Sequence, residues 1–223
     1  MSYIDFEILL HVHFVFNLYW LFWRFSFDWT ALLGSGPLYL IYGSWVLFAV
    51  YWFISAINTK RPAKIENSGE RLGRAILMII AFILLNRSAS LPFKWLNREF
   101  VSEALWSVWL GAALTLAGVL FAIWARRTIG RNWSAQVQIK EGHRLIRSGP
   151  YARIRHPIYT GILLAVAGTA LAIGEYRALV ALAIMWIGFA RKAKQEESFL
   201  ASQFGAAFEE HRRHTGFFLP RFP

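Results

Sequence analysis

Apolar residues in this chain run together in blocks rather than alternating. Three blocks reach the roughly 20 residues a membrane span needs: 37–57 (PLYLIYGSWVLFAVYWFISAI), 73–93 (GRAILMIIAFILLNRSASLPF) and 104–124 (ALWSVWLGAALTLAGVLFAIW). A fourth, 158–190, is interrupted by Gly174-Glu175-Tyr176-Arg177. As one helix it would extend about 50 Å at 1.5 Å per residue, too long for a hydrocarbon core of about 30 Å. The pattern therefore predicts two short antiparallel helices, at 158–173 and 176–192, and five spans in all. The first block, 6–27 (FEILLHVHFVFNLYWLFWRFSF), is apolar enough to span but is interrupted by His11, His13, Asn17 and Arg24. It reads as a sixth span or as a helix lying in the interface. The expected fold class is all-α: a polytopic membrane protein of five transmembrane helices plus this N-terminal spanning or interfacial helix.

Composition sharpens that picture. Hydrophobic residues make up 57% of the 223 and charged residues 17%, against about 45–50% and 25% in soluble domains. This argues against an ordinary soluble protein and excludes a disordered chain. The 11 Trp, 8 Tyr and 19 Phe suit membrane interfaces. A net charge of +11 fits either nucleic acid or anionic lipid; the hydrophobicity selects the lipid bilayer as partner, with no nucleic acid. Cys is absent, which removes disulfides, thiolate metal sites and Cys nucleophiles. Residues 1–7 carry Asp5 and Glu7 without Lys or Arg, so the basic start of a secretory signal is missing.

The cations orient the spans. The 58–74 loop, the 125–157 loop and the segment from Arg191 onward hold 19 of the 24 Lys and Arg. Positive charge stays on the cytoplasmic side, so these segments and the C-terminus are expected there. Small size and the lack of targeting signals suit a bacterial inner membrane. Residues 60–70 (KRPAKIENSGE) are the best linker candidate. The chain is expected to divide into N-terminal spans, 1–125, and a cofactor-binding catalytic region with the helical hairpin, 126–223, within one integrated membrane domain.

Candidate chemistry lies beside that hairpin. A channel or transporter carries ionisable groups inside its spans, and the three clear spans hold almost none. Polar residues concentrate instead in 126–157 and 191–221, which the hairpin would bring together at the cytoplasmic face. In 143–161 (HRLIRSGPYARIRHPIYTG), Gly149-Pro150 is turn chemistry, and Pro157 predicts a helix starting at or just after it. A helix N-terminus with nearby cations suits a carboxylate; an Arg cluster at this place equally suits lipid headgroups. In 191–200 (RKAKQEESFL), Lys192 and Glu196 share a helix face, as part of a site or as an ion pair on a wet face. Adjacent Glu196 and Glu197 diverge by about 100°, so one is expected to face the site and the other water. His11 and His13 have poor metal geometry, and His211 and His214 lack a third ligand, so no metal is expected. There is no P-loop, dinucleotide fingerprint or nucleophile elbow.

His143, Gly149-Pro150-Tyr151, Arg155-His156-Pro157-x-Tyr159-x-Gly161, then Glu196-Glu197-x-x-Leu200 and Phe204-Gly205 together resemble the isoprenylcysteine carboxyl methyltransferase and phospholipid methyltransferase family of integral membrane enzymes. The resemblance covers residues from about 131 to 220; the first 125 resemble the family only as a set of spans. It implies S-adenosylmethionine-dependent methyl transfer to a lipophilic acceptor, a prenylcysteine-like carboxylate or a lipid amine, with S-adenosylhomocysteine as product. The implied cofactor contacts are Gln138, His143, Arg144, Leu145, Ile146, Tyr151, His156, Pro157, Ile158, Tyr159 and Glu196, in a cytoplasmic pocket at the C-terminal hairpin. Where the farnesyl-cysteine enzymes place a substrate-binding Arg one turn before the matching Glu, this chain has Lys192, with Arg191 beside it. Lys keeps the charge without the bidentate fork. Phe208 and His211 stand where the family usually shows two Tyr. The alternatives are a sterol-reductase-like membrane enzyme binding NADPH and a non-catalytic scaffold gripping anionic lipid.

Overall fold

The structure, a computed structural model, describes residues 29–57, 68–85, 93–101, 104–130 and 145–222. Among these the fold is all-helical: α1 (Trp29–Ile57), α2 (Ser68–Leu85), α3 (Leu105–Ile129), α4 (Pro157–Ile173), α5 (Tyr176–Phe204) and α6 (Ala206–His214). Two 3-10 turns, Lys94–Asn97 and Gly149–Ala152, join them. Within α1 and α3, the stretches Ser35–Ser55 and Leu105–Ile129 are long and apolar enough to cross a membrane. The bundle leaves Val50, Phe53 and Ile54 of α1, Ile76, Ile79 and Ile83 of α2, and Leu120 of α3 exposed, faces that suit lipid rather than water.

Small residues hold α3 and α4 together. Gly111 and Gly118 of α3 and Gly161 and Gly168 of α4 recur at seven-residue spacing and face the partner helix's backbone. A Cβ on Gly168 would stand 2.5 Å from the Gly111 carbonyl oxygen, and one on Gly161 would stand 2.6 Å from the Ala122 nitrogen. Close backbone approach through small residues is how helices pack where burial of apolar surface offers no drive. Ala122, Ala125 and Ala165 in the same seam have no exposure at all. Thr115 joins the seam by donating to the Gly111 carbonyl at 2.8 Å and meeting Thr169 Oγ1 at 3.2 Å. Trp45 Nε1 donates to Thr169 Oγ1 at 3.0 Å and ties α1 to the pair. On the other side, Ala81 and Leu84 of α2 pack on Ala181 of α5.

The turn between α4 and α5 falls where the apolar run is interrupted. Gly174 adopts φ 72°, and a Cβ there would stand 2.6 Å from the Val101 carbonyl oxygen. Glycine takes that conformation at no steric cost. Phe100 N–H donates to the Gly174 carbonyl at 2.8 Å, and Tyr176 N–H to that of Arg98 at 3.1 Å. Arg177, 1% exposed, forks onto both oxygens of Glu175 at 2.6 and 3.2 Å. A further contact, to the Leu84 carbonyl at 3.2 Å, caps the end of α2.

The helix ends differ from the apolar blocks. α2 covers Ser68–Leu85 instead of 73–93, and Lys94–Asn97 is a separate 3-10 turn. α3 continues to Ile129, since Arg126 and Arg127 are good helix formers that sit at the basic-preferring C-terminal end. α5 runs twelve residues past 192, because KAKQEESFLASQF favours helix in water as well as in lipid. The 6–27 block lies outside the described residues.

Candidate active site

Three elements converge at the start of α4. Pro157 opens the helix at a position that needs no N–H. His156 is the N-cap residue, but its side chain makes no cap bond. The ring is thus free to turn toward the extension of α5, which carries Glu196 and Glu197. His156, 6% exposed, places Nδ1 3.5 Å from Glu196 Oε2 and Nε2 3.1 Å from Glu197 Oε1. Both carboxylates therefore face the site, correcting the expectation that one would face water. An imidazole carries nitrogens on opposite edges, so one ring bridges two side chains that diverge along a helix.

The rest of the cluster is aromatic and cationic. Tyr159 OH donates to Glu196 Oε1 at 2.5 Å, and its ring stacks on Phe189 at 4.8 Å between centroids. Lys192 Nζ stands 5.7 Å from the centre of the Tyr159 ring. Arg155 Nε donates to Glu197 Oε1 at 2.5 Å. Burial opposes charge on His156, but the bonds to Glu196 and Glu197 outweigh it and raise its pKa. Glu196 is held below the usual carboxyl range: burial pushes it up, but His156, Lys192 and Tyr159 push it further down. Glu197 is lowered too, with burial overcome by His156 and Arg155. Burial, helped by the Glu196 charge, pushes the Tyr151 phenol well up, against Arg126. The cluster is an ion network that keeps both carboxylates charged at neutral pH.

The segment after α6 covers the network. Ile154 and Gly216 form a parallel bridge, with Arg155 N–H donating to the Gly216 carbonyl and Gly216 N–H to that of Arg153, each at 2.9 Å. Thr160 Oγ1 donates to the Phe218 carbonyl at 2.7 Å. Phe217 and Phe218 then meet the His156 ring edge-on, at 5.1 and 6.3 Å. Nothing in the sequence singled out Arg155 as a partner of Glu197, or Glu197, Phe217 and Phe218 as contacts of His156. The Arg-His-Pro sequence and the Glu-Glu pair were the available signals for the first two.

Of the expected site residues, His156, Tyr159, Lys192 and Glu196 come together. Tyr151 and Ile158 pack with Ala125 in a neighbouring apolar cluster that Ile146 flanks. Pro157 is fully buried, Leu145 half-buried and Arg191 exposed. Gln138, His143 and Arg144 lie outside the described residues, as do His11 and His13. His211 is buried, with burial and then Arg147, Arg155 and His214 lowering its pKa; His214 is exposed beside Glu210. No group of three metal-binding side chains occurs among the described residues.

Comparison with known proteins converges on the same segment. Residues 110–202, α3 from Leu110 through most of α5, match the isoprenylcysteine carboxyl methyltransferase (ICMT) family. A probable protein-S-isoprenylcysteine O-methyltransferase of Oryza sativa subsp. indica is 28% identical over 148 residues, 60% of this chain and 78% of that protein. The protein-S-isoprenylcysteine O-methyltransferase of Schizosaccharomyces pombe is 28% identical over 168 residues, 71% of each chain. A cobalt-zinc-cadmium resistance protein, CzcN, of Cupriavidus metallidurans is 36% identical over 118 residues, 51% of this chain and 52% of that one. The solved structure of a eukaryotic intramembrane Ras methyltransferase, ICMT, superposes with a TM-score of 0.55 at 18% identity, covering 99% of this chain and 87% of that one, and so shares its fold. The matched segment carries the His156, Tyr159 and Glu196 cluster, and over it the chain is similar to the isoprenylcysteine carboxyl methyltransferase family and to proteins named as O-methyltransferases.

Proposed function

We propose that this protein transfers a methyl group from S-adenosylmethionine to the carboxylate of a prenylcysteine-like amphiphile at the cytoplasmic face of a membrane. One observation carries the reading: a charged Glu196 and, one turn before it, Lys192 both lie against Tyr159 where α5 leaves its apolar stretch. The donor set fits the cofactor. Glu196 is held ionised beside the Tyr159 and Phe189 rings, which is what a cationic sulfonium or ammonium group asks of its site. When bound, S-adenosylmethionine supplies the electrophilic methyl group. Tyr159 orients Glu196 through its hydroxyl, and His156 holds the second oxygen. His143 and Arg144 are the proposed partners of the cofactor's carboxylate, with Gln138, Leu145, Ile146, Tyr151, Pro157 and Ile158 completing the pocket.

Lys192 offers the acceptor carboxylate a cation, with Arg191 next to it in sequence. A carboxylate acceptor needs no base, so catalysis reduces to in-line positioning. A lipid amine would first have to lose a proton, and His156 is engaged by a carboxylate at each nitrogen. That favours the carboxylate acceptor. The exposed apolar faces of the bundle give such an amphiphile a route from the bilayer.

Detergent-solubilised protein is expected to bind S-adenosylhomocysteine in calorimetry and to methylate an N-acylated prenylcysteine. Glu196→Gln should weaken cofactor binding by about 1–3 kcal/mol, the loss of a charge-assisted contact. Lys192→Ala should raise KM for the acceptor and leave cofactor affinity nearly intact. Unchanged cofactor affinity in both Glu196→Gln and His156→Ala would refute the site.

A further inference from the structure

Arg155 is a hub outside the set of proposed ligand contacts. Its Nε donates to Glu197 Oε1 at 2.5 Å, the same oxygen that meets His156 Nε2 at 3.1 Å. Its Nη1 donates to the carbonyls of Arg212, at 3.3 Å, and of Thr215, at the C-terminal end of α6. The guanidinium carbon lies 5.7 Å from the centre of the Phe217 ring, on the side chain that abuts His156. The Arg155 and Glu197 side chains are only 12% and 15% exposed. One planar fork thus meets α5, the end of α6 and the segment that covers the site.

We propose that Arg155 is a positioning residue: anchored on the end of α6, it holds the Glu197 carboxylate against His156 Nε2 and so fixes the imidazole that orients Glu196. The guanidinium suits this task because its donors diverge in a rigid plane. A carboxylate held by Nε cannot swing to water while the other arm is pinned to helix-end carbonyls. Those carbonyls carry the negative end of the α6 dipole, which favours the cation there. A single ammonium cannot make both sets of contacts at once.

The alternative roles predict opposite signs. His156 is faced by Glu196 and Glu197 of α5 and by the stacked Tyr159 ring of its own helix, while Lys192 acts on Glu196 and Arg155 on Glu197 and on His211 of α6. If Arg155 acted only as a nearby positive charge, its removal would make His156 easier to protonate. If it positions Glu197, its removal frees that carboxylate, and His156 becomes harder to protonate. The proposal rests on the site described above, but its readout needs neither cofactor nor acceptor. Failure here is therefore distinguishable from failure to bind S-adenosylhomocysteine.

The experiment is a pH titration of the histidine side chains by nitrogen-15 NMR in the full-length, detergent-solubilised protein, with His156→Gln to assign the signal. In Arg155→Gln the His156 midpoint should fall, by about 1 pH unit for loss of one carboxylate contact. Arg155→Lys should give a smaller fall, and it serves in the same way should the Gln variant fail to fold. In a Glu197→Gln background the Arg155 substitution should produce no further fall. A midpoint that rises or stays fixed in a folded Arg155 variant overturns the proposal. So does a fall of equal size in the Glu197→Gln background.

Discussion

Replacing Gly161 by Ala tests whether the α3–α4 seam sets the position of the active site. The added Cβ would stand 2.6 Å from the Ala122 nitrogen and 2.7 Å from the Gly118 carbonyl oxygen. Ordinary contact begins at 3.4 Å, and both obstacles are backbone, so the helices must separate locally by about 0.8 Å, the difference between 3.4 and 2.6 Å. Overpacking of this kind costs about 1–3 kcal/mol, against a gain of about 0.5–1 kcal/mol for Ala over Gly inside a helix. The net loss is about 0–2.5 kcal/mol, centred near 1 kcal/mol, or a few degrees in the melting midpoint of a chain this size. Gly161 lies five residues after His156 and two after Tyr159. A shift near 1 Å at reacting groups can cost about 100-fold in rate, so methyl transfer should fall by about 10- to 100-fold. Gly168→Ala meets equally close backbone, with Gly111 O and Thr115 N at 2.5 Å, but two turns farther from the site. It should match Gly161→Ala in stability loss and retain more activity. Gly43→Ala, with nothing within 4 Å of the new Cβ, should be neutral or slightly stabilising. Thermal denaturation in one detergent, paired with initial rates, reads all three. Equal melting midpoints for the Gly161 and Gly43 variants would refute the seam argument. Equal activity losses at Gly161 and Gly168 would refute the link to the site.

Stability should also depend on pH in a defined way. Glu196 and Glu197 sit below their ordinary value of 4.5, so their contribution is present above it and is lost as pH falls through their lowered values. His156 is raised above 6.5, so its contribution is full below that value and is lost as pH rises through the raised one. The melting midpoint should therefore peak between pH 4.5 and 6.5, and His156→Asn should remove much of the alkaline decline; an unchanged alkaline limb would count against the network. At the opposite end of the bundle, Arg177→Ala leaves Glu175 and the Leu84 carbonyl without their buried partner and should cost about 3–5 kcal/mol. Arg212→Ala breaks a pair with Glu209 that is 52% and 40% exposed and should cost at most about 1 kcal/mol. Comparable melting midpoints for these two variants would refute the weight given to burial.

The hairpin was legible because its signals are local. Gly174 and Glu175 break an apolar run too long for one span, and Pro157 marks a helix start, so α4 and the beginning of α5 fall where the pattern puts them. The far end of α5 was not legible from the apolar pattern, because leaving the bilayer changes which residues are apolar without ending a helix. His156, Tyr159 and Glu196 follow from the family resemblance, and Lys192 from that resemblance together with its spacing of four from Glu196. The use of Glu197 does not, since a single helix viewed alone sends two neighbouring side chains apart; only the ring standing between them makes them partners. The glycine seam was present in the sequence at seven-residue spacing. It stayed hidden inside spans recognised by their bulk of apolar side chains, to which glycine adds nothing. Phe217 and Phe218 carry no chemistry of their own, and only tertiary placement gives them a role.

α5 also acts as a ruler. It is one unbroken helix from Tyr176 at the hairpin turn to Phe204, and Glu196 lies 20 residues along it from Tyr176. At 1.5 Å per residue that is about 30 Å, the thickness of a bilayer's hydrocarbon core. The clamped turn at Gly174 and the ionised cluster are thus held apart by one membrane thickness along a single rod. Deleting one residue from its middle would draw Glu196 about 1.5 Å toward the lipid and turn it by about 100°, away from Tyr159. Inserting seven would restore its facing but lift it about 10 Å into water. Register along this helix therefore sets two things together: how far the ionised cluster stands from the hairpin turn, and which side of the rod it presents.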